Sequence, residues 1–296
     1  TGTTNANGGL VLSGDGFKDM FFRTLNNPGT ATWTNATANN GRIRTGSGVT
    51  INNSGTWLDQ SGFTSAISND FGGAASTFNN TGTYQKSVGT ALTNIGITFN
   101  NTSSGAGTGV ANVQSGTLTL SGGGTANAGS QITGSAGTTV QFNGGTYTLN
   151  AGSVLNAPNI FFTSGITNLA GDYTASTATT VNGGTANFTG NVLNTTSSLA
   201  VSSGAADFSN TAAATFSTVN LSGGTISGAQ SVTATGLFTW TLGTMTGTGT
   251  TNEFSTSGTL LLDAQDSIGT TSNRIDTAVG TVAALSAGAS LVPSPV

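Results

Sequence analysis

Apolar residues along this chain alternate with Thr, Asn and Ser over short stretches, and small-residue turns interrupt the alternation at short intervals. A period of two is typical of a strand that buries one face of a sheet. Between residues 179 and 217 this pattern predicts strands at 179–182, 185–188, 191–194, 199–202, 205–209 and 213–217. The pattern therefore predicts an all-β protein with about three short strands in every twenty residues.

The turns recur at a nearly constant interval through the middle of the chain. Counted at the second turn residue, the steps are 21, 20, 19, 20, 20, 19 and 15 residues, between Gly124, Gly145, Gly165, Gly184, Gly204, Gly224, Gly243 and Gly258. One coil of this length cannot bury its own apolar face, whereas stacked coils share a continuous core. We therefore predict a parallel β-solenoid with about 20 residues and three strands per coil. We expect it to be right-handed, because parallel crossovers nearly always are.

Stacking at this period predicts three inner walls. One contains Phe142, Phe162, Val181, Val201, Leu221 and Trp240. A second contains Leu149, Leu169, Phe188, Phe208 and Ile226, and a third contains Ile132, Leu155, Tyr173, Leu193, Phe216 and Val232. Roughly fifteen such coils, ~4.8 Å apart, would form a rod on the order of 70 Å long.

The first 115 residues follow a looser rule, in which an Asn-Asn pair follows Ile51, Phe78 and Phe99 at steps of 27 and 21 residues. Asn tolerates the backbone of tight corners, so we interpret the motif as a corner followed by a packed aromatic residue. A sugar-stacking site at Trp57 and Tyr84 is the functional alternative. We divide the chain into a less regular solenoid region with a possible cap (1–115), regular coils (116–262), and a C-terminal coil with an extended apolar tail (263–296).

Two runs in this chain resemble the repeats of large exported bacterial β-helix proteins of the filamentous-haemagglutinin or autotransporter-passenger type. They are FNNTGTYQKSVGTA at 78–91 and VQSGTLTLSGGGTA at 113–126, and residues 267–289 are similar to a recurring segment of filamentous-haemagglutinin-like exoproteins. The resemblance lies in the style of repeat over most of residues 40–290. It implies secretion to the cell surface, an elongated β-helix, and a role in adhesion, aggregation or fibre formation.

Composition leaves few groups that could perform chemistry. Charged residues make up 5% of the chain, the net charge is −4, and there is no His and no Cys. Nucleophilic triads and zinc sites in their usual forms are thereby excluded. No apolar run approaches the ~20 residues of a spanning helix, and the basic residues are not clustered as phosphate binding requires. We expect no cofactor, no metal, no nucleic-acid partner and no membrane insertion by this segment.

The acidic residues are dispersed, which argues against an enzyme. Asp263 and Asp266 are close enough in sequence to approach a glycosidase-like separation, although a solvated turn is the other interpretation. The densest charged segment contains Asp15, Lys18, Asp19 and Arg23 with Phe17, Met20, Phe21 and Phe22 between them, and it predicts a short amphipathic helix that caps or docks. Arg42 and Arg44 share one strand face, where we expect them to be solvated or paired with an aspartate.

These observations favour an extracellular structural protein, either a self-assembling fibre subunit or a rod segment of a cell-surface protein. An open solenoid ends in unpaired strand edges, so we predict end-to-end contact between copies by strand addition. The predicted assembly residues are Leu10, Val11 and Leu12, or Val282, Leu285, Leu291 and Val292 in the uncharged tail. The alternative is an adhesin module that binds a surface glycan or host ligand. Less favoured are a polysaccharide-active enzyme and an ice-binding solenoid. Ice binding requires outward Thr residues that repeat strictly from coil to coil, and we expect no such strict repeat in this chain.

Overall fold

The computed structural model describes residues 2–103, 108–193, 196–209 and 212–253, together with short strands at 260–262, 267–268, 275–277 and 284–285. The described residues form an all-β solenoid of parallel strands with about 11 turns and roughly 21 residues per coil. The predicted fold class is confirmed. The expectation of roughly fifteen coils refers to the whole chain, so the 11 turns of the described residues do not test it.

The strands are short in the first coils and longer in the middle ones. The first coils contain β1 (Gly2–Asn5), β2 (Leu10–Leu12), β3 (Lys18–Phe21), β4 (Arg23–Asn27), β5 (Thr30–Trp33), β6 (Ile43–Gly46), β7 (Thr50–Asn53), β8 (Thr56–Asp59), β9 (Ser65–Ser68), β10 (Thr77–Asn80), β11 (Thr83–Lys86), β12 (Leu92–Ile95), β13 (Thr98–Asn101), β14 (Val110–Val113) and β15 (Thr117–Leu120). The middle coils contain β16 (Gly124–Ala126), β17 (Gln131–Gly134), β18 (Thr139–Leu149), β19 (Val154–Leu169), β20 (Asp172–Phe188), β21 (Ser198–Phe208), β22 (Ala214–Phe216), β23 (Thr218–Ser227), β24 (Val232–Ala234) and β25 (Phe238–Met245). The last strands are β26 (Thr251–Glu253), β27 (Leu260–Leu262), β28 (Ser267–Ile268), β29 (Ile275–Thr277) and β30 (Ala284–Leu285).

Each coil has three sides, and every third strand of the first coils belongs to the same side. We call these the first side (β1, β4, β7, β10, β13), the second side (β2, β5, β8, β11, β14) and the third side (β3, β6, β9, β12, β15). In β18, β19, β20, β21, β23 and β25 one continuous strand runs over two or three sides, whereas β22 and β24 are short and cover one side each. The segments predicted at 179–182 and 185–188 are therefore both parts of β20, and near 191–194 the described pairing is a single bridge between Tyr173 and Val192.

The first predicted wall is confirmed in full, and the second almost so. Successive members of the first wall are in-register partners from Phe142 to Trp240. The second wall holds from Leu149 to Phe208, but Ile226 pairs with Ala206. The predicted register is therefore shifted by two positions, and because strand side chains alternate with a period of two, Ile226 still points inward.

The third predicted wall is correct up to Tyr173 and wrong beyond it. Tyr173 pairs with Val192, whereas Leu193 is 57% exposed, because a shift of one residue turns a strand side chain to the opposite face. Beyond this point Val232 pairs with Ala214, and Phe216 pairs with Ala234.

The repeat glycines of the described residues lie at turns where one coil passes close to the next, and Gly204 shows why glycine is needed there. Gly204 has a φ of 75°, which side chains other than glycine rarely adopt. A Cβ atom there would lie 2.1 Å from the carbonyl oxygen of Gly184, its counterpart in the preceding coil. The regular spacing of glycines in the sequence therefore follows from close contact between the turns of adjacent coils.

Candidate functional site

The N-terminal coil presents an open strand edge within the described chain. β1, β2 and β3 pair with β4, β5 and β6 on one side, and the backbone groups of their other side are available to a further strand. The predicted assembly residues Leu10, Val11 and Leu12 form β2. Leu10 and Leu12 pack partly buried against the core, and Val11 points outward with 73% exposure.

The other predicted assembly segment is described in part. Leu285 belongs to β30, whose backbone pairs with β27 through Leu262. Val282, Leu291 and Val292 lie outside the described residues, as do the candidate carboxylates Asp263 and Asp266. The sequence prediction for the tail stays a prediction.

Trp57 and Tyr84 lie in the core, as the interpretation of a packed aromatic residue after each corner expects, and the alternative of a sugar-stacking site is wrong. Both side chains are 0% exposed, and they are in-register neighbours on β8 and β11. The Phe78 ring packs edge-on against both, with ring centres 5.1 Å from Trp57 and 5.9 Å from Tyr84. The Tyr84 hydroxyl donates to Asp59 at 2.9 Å. Burial, together with the charge of Asp59, raises the pKa of Tyr84 well above its usual value.

The predicted amphipathic helix near residue 18 is instead strand β3. Its residues alternate outward and inward, and its backbone pairs with β6. This register places Asp19 beside Arg44, whose Nε and Nη2 donate to the two carboxylate oxygens at 2.8 and 2.6 Å. The bond from Arg44 lowers the pKa of Asp19 below its usual value. Strand pairing and this ion pair outweigh the helical pattern.

Arg44 also joins a group of exposed phenyl rings on the third side. Its guanidinium carbon lies 4.2 Å from the centre of the Phe17 ring and 4.9 Å from that of Phe71. The Phe71 ring in turn packs against Phe21 in a tilted arrangement, with ring centres 4.2 Å apart. These rings are 39–47% exposed. We call Phe17, Phe21, Phe71, Asp19 and Arg44 the aromatic patch. Beside it, Arg42 pairs with Asp70 at 3.0 Å, so both arginines pair with an aspartate, which is one of the two expected outcomes.

Two asparagine ladders run along the first side, and the sequence reasoning recognised neither. The inner ladder is fully buried and joins Asn27, Asn53, Asn80 and Asn101 by side-chain bonds of 2.7, 2.7 and 2.8 Å. Each of these amides also donates to a backbone carbonyl of a neighbouring coil, namely Thr56, Thr83, Val110 and Gln131. The ladder therefore fixes the register between coils.

The outer ladder is the neighbouring column of asparagines. It joins Asn5, Asn26, Asn52, Asn79 and Asn100 by bonds of 2.7 to 2.9 Å. The sequence signal is a four-residue motif, Thr–apolar–Asn–Asn, whose first copy begins at Thr24 and had gone unnoticed. Its amides donate toward the N-terminal coil, whereas those of the inner ladder donate away from it.

Outward threonines stand in register beside the outer ladder. Thr3, Thr24, Thr50, Thr77 and Thr98 are successive partners on the first side. The expectation that outward Thr residues do not repeat strictly is therefore wrong for these five coils. The first side is a regular surface of Thr and Asn.

Two other carboxylates in the described chain accept hydrogen bonds from neutral side chains. Asn191 donates to Asp172 at 2.8 Å, and Ser227 donates to Asp207 at 3.0 Å. Among the described residues, no three acidic side chains come together in a group that could hold a metal ion. The described part of the chain also contains no helix long and apolar enough to cross a membrane.

Comparison of the chain with family models, with curated proteins and with solved structures finds no match.

Proposed function

We propose that this chain is an extracellular structural protein, a fibre subunit or rod segment of a cell surface, whose coils continue by addition of strands at the open edge. The observation that carries the proposal is the edge formed by β1, β2 and β3. It combines unpaired backbone groups with the half-buried Leu10 and Leu12. The repeat style shared with exported bacterial β-helix proteins supports the location at a cell surface.

The ladders give the edge a means of alignment. Asn26 donates to Asn5, so the Asn5 amide is the last donor of the outer row, at the edge itself. Asn27 Oδ1 is the unpartnered acceptor that ends the inner row. A further coil that presents an acceptor above Asn5 would extend the outer row in register. Backbone pairing supplies affinity in strand addition, and side chains in register supply specificity.

A charge on the open edge tests this proposal, because edge lysines block strand addition. Val11→Lys places the charge at an exposed position and should leave the coil folded. We expect the variant to sediment as single rods where the parent chain forms longer particles. Leu193→Lys, at an exposed position in the middle of the rod, is the matched control and should assemble like the parent. Equal assembly of Val11→Lys and the parent would contradict the use of this edge.

The tail is tested separately by deletion of residues 281–296. If the tail completes the core of a neighbouring subunit, the deletion should shorten the assemblies seen by electron microscopy. Fibres of unchanged length would show that the tail does not take part in the interface, and the edge at β2 would then be the remaining candidate for assembly.

The alternative, an adhesin that binds a surface glycan, is favoured by the aromatic patch. Exposed rings beside paired charges offer apolar faces and hydrogen-bonding groups to a sugar. A glycan array with the parent chain and Phe21→Ala tests it. Glycan binding by the parent chain that Phe21→Ala loses would support a lectin-like function. Absence of binding by the parent chain would exclude the adhesin alternative and keep the structural function.

The ice-binding alternative is favoured by the in-register Thr residues of the first side. Thermal hysteresis of the parent chain, compared with Thr50→Tyr and Thr77→Tyr, is the direct test. Activity that the bulky substitutions abolish would establish it, and absence of hysteresis would exclude it.

A further inference from the structure

A buried group of polar side chains interrupts the apolar interior at the corner between the second and third sides. Asp59 and Ser65 flank this corner in one coil, and Lys86 and Thr93 flank it in the next. Asp59 pairs in register with Lys86, and Ser65 pairs with Thr93. All four side chains are 0–2% exposed, as is Ser61 within the corner. We call these five residues the polar corner.

Apolar residues close the polar corner on both sides along the rod. Trp33 of the preceding coil is the in-register partner of Asp59. Val113 and Leu118 of the following coil are the partners of Lys86 and Thr93. These three residues are fully buried. The polar corner is therefore confined to two coils and shielded from solvent.

Hydrogen bonds within the protein satisfy the carboxylate but not the groups around it. Asp59 accepts from the Ser61 backbone N–H at 3.0 Å and from the Tyr84 hydroxyl at 2.9 Å. Lys86 Nζ donates to the Val88 carbonyl at 3.4 Å, which leaves two of its three N–H groups. The hydroxyls of Ser61, Ser65 and Thr93 have no partner in the protein, and neither does that of the adjacent Ser87.

The two opposite charges face each other without touching. Among the described residues, the ion pairs closer than 4.0 Å are Arg42–Asp70 and Arg44–Asp19, so the Lys86 ammonium and the Asp59 carboxylate are farther apart than that. A buried charge without partners is strongly unfavourable. Buried polar groups that lack a protein partner are generally satisfied by internal water, which forms about three hydrogen bonds per molecule.

We propose that the polar corner is an internal water-binding site, in which water molecules bridge the Lys86 ammonium to the Asp59 carboxylate and to the hydroxyls of Ser61, Ser65 and Thr93. Lys86 donates to the water oxygens, and the water hydrogens reach the free lone pairs of Asp59. The hydroxyls act as further donors and acceptors. The bound water thus holds the corner of two successive coils together in place of a direct ion pair.

A crystal structure of the full chain, combined with an intact-mass measurement, tests the site directly. We expect ordered water between Lys86 Nζ and the Asp59 carboxylate, and a mass equal to that of the sequence. Direct contact between the two charged groups, or an empty corner, would overturn the proposal. So would a mass lower by one water molecule, because it would show that the amine and the carboxyl have condensed to an amide.

Substitution of Thr93 gives an independent test, because the proposal predicts whether the denaturant midpoint falls or rises. Thr93→Val keeps the shape and removes the hydroxyl. If water binds that hydroxyl, the denaturant midpoint should fall. Thr138→Val is the matched control, since the buried Thr138 hydroxyl donates to the Ser135 carbonyl at 2.6 Å and its loss must also lower the midpoint. A higher midpoint for Thr93→Val would overturn the proposal, because removal of a truly unpartnered hydroxyl is stabilising.

Discussion

The first coils and the middle coils stack by the same register rule but fill their interiors differently. In the first coils, equivalent residues lie 21, 26, 27 and 21 positions apart, and polar asparagine ladders run along the rod. In the middle coils from β18 onward the spacing is 18 to 21 residues. Rings stack there instead, such as Phe142 on Phe162 and Phe188 on Phe208. The length of the corners therefore changes together with the kind of side chain that stacks from coil to coil, asparagine in the first coils and phenylalanine in the middle coils.

The difference shows how each region fixes its register. Hydrogen bonds between amides are directional, so the inner ladder specifies the alignment of coils even where the corners vary in length. Stacked apolar rings specify alignment less strictly. In the middle coils the nearly constant coil length fixes the register between adjacent coils instead. We expect the middle coils to depend on packing volume and the first coils to depend on hydrogen bonding.

The largest effect should follow from a cavity in the middle coils. Phe162 is buried between Phe142 and Val181 of the adjacent coils. Phe162→Ala should lower the free energy of unfolding by about 3–5 kcal/mol in chemical denaturation. The neighbouring Phe161 is only partly buried, and Phe161→Ala is the matched control with a much smaller loss. Equal losses for the two variants would contradict the assigned strand faces.

Alkaline pH should destabilise both regions through the three tyrosines of the chain, all of which are buried. Burial raises the pKa of Tyr84, Tyr147 and Tyr173. Their contribution is therefore fully present below the unfolded-state pKa of about 10, and above it stability falls by about 1.4 kcal/mol per tyrosine and pH unit. Phenolate absorbance should rise together with loss of the circular dichroism signal. Phenolate that forms in the folded chain near the usual pKa would contradict this burial.

The inner and outer ladders should differ when adjacent residues are substituted. Asn80 donates to Asn101 and to the Val110 carbonyl, and Asn80→Ala should cost about 1–3 kcal/mol for each buried group left unpartnered. Asn79→Ala removes two links of the partly exposed outer ladder and should cost about 1 kcal/mol or less, because water can replace its partners. Denaturation of both variants measures the difference. Similar losses in the free energy of unfolding for the two variants would mean that burial does not determine how much a ladder contributes to stability.

Sequence reasoning predicted those features whose signal lies within one coil. The turn glycines and the period-two alternation located the stack and the whole first wall, because Phe142 and its partners follow a nearly fixed spacing. Leu193 was misplaced because the prediction stepped 20 positions from Tyr173, whereas the partner of Tyr173 in the next coil is Val192, 19 positions on. The ladders and the polar corner were missed because each joins residues 21 to 28 positions apart, and such partners become apparent only when the register is known.

The smallest effect should come from the surface ion pair of the first coils. Because Arg44 lowers the pKa of Asp19, the pair stabilises the fold above the usual carboxyl pKa of about 3.9, and this contribution is lost as pH falls through the lowered value. Asp19→Asn should slightly lower the thermal midpoint at neutral pH and reduce its dependence on acid. Salt should diminish the difference between parent and variant, since the pair is partly exposed. A large effect that salt does not change would contradict a surface role.

Electron microscopy of the purified chain tests the central claim most directly. About 11 turns at ~4.8 Å give a rod on the order of 50 Å long. We predict thin filaments of constant width that are several times longer than one rod, and single rods for Val11→Lys. Isolated rods of the parent chain at every protein concentration would contradict assembly through the open edge.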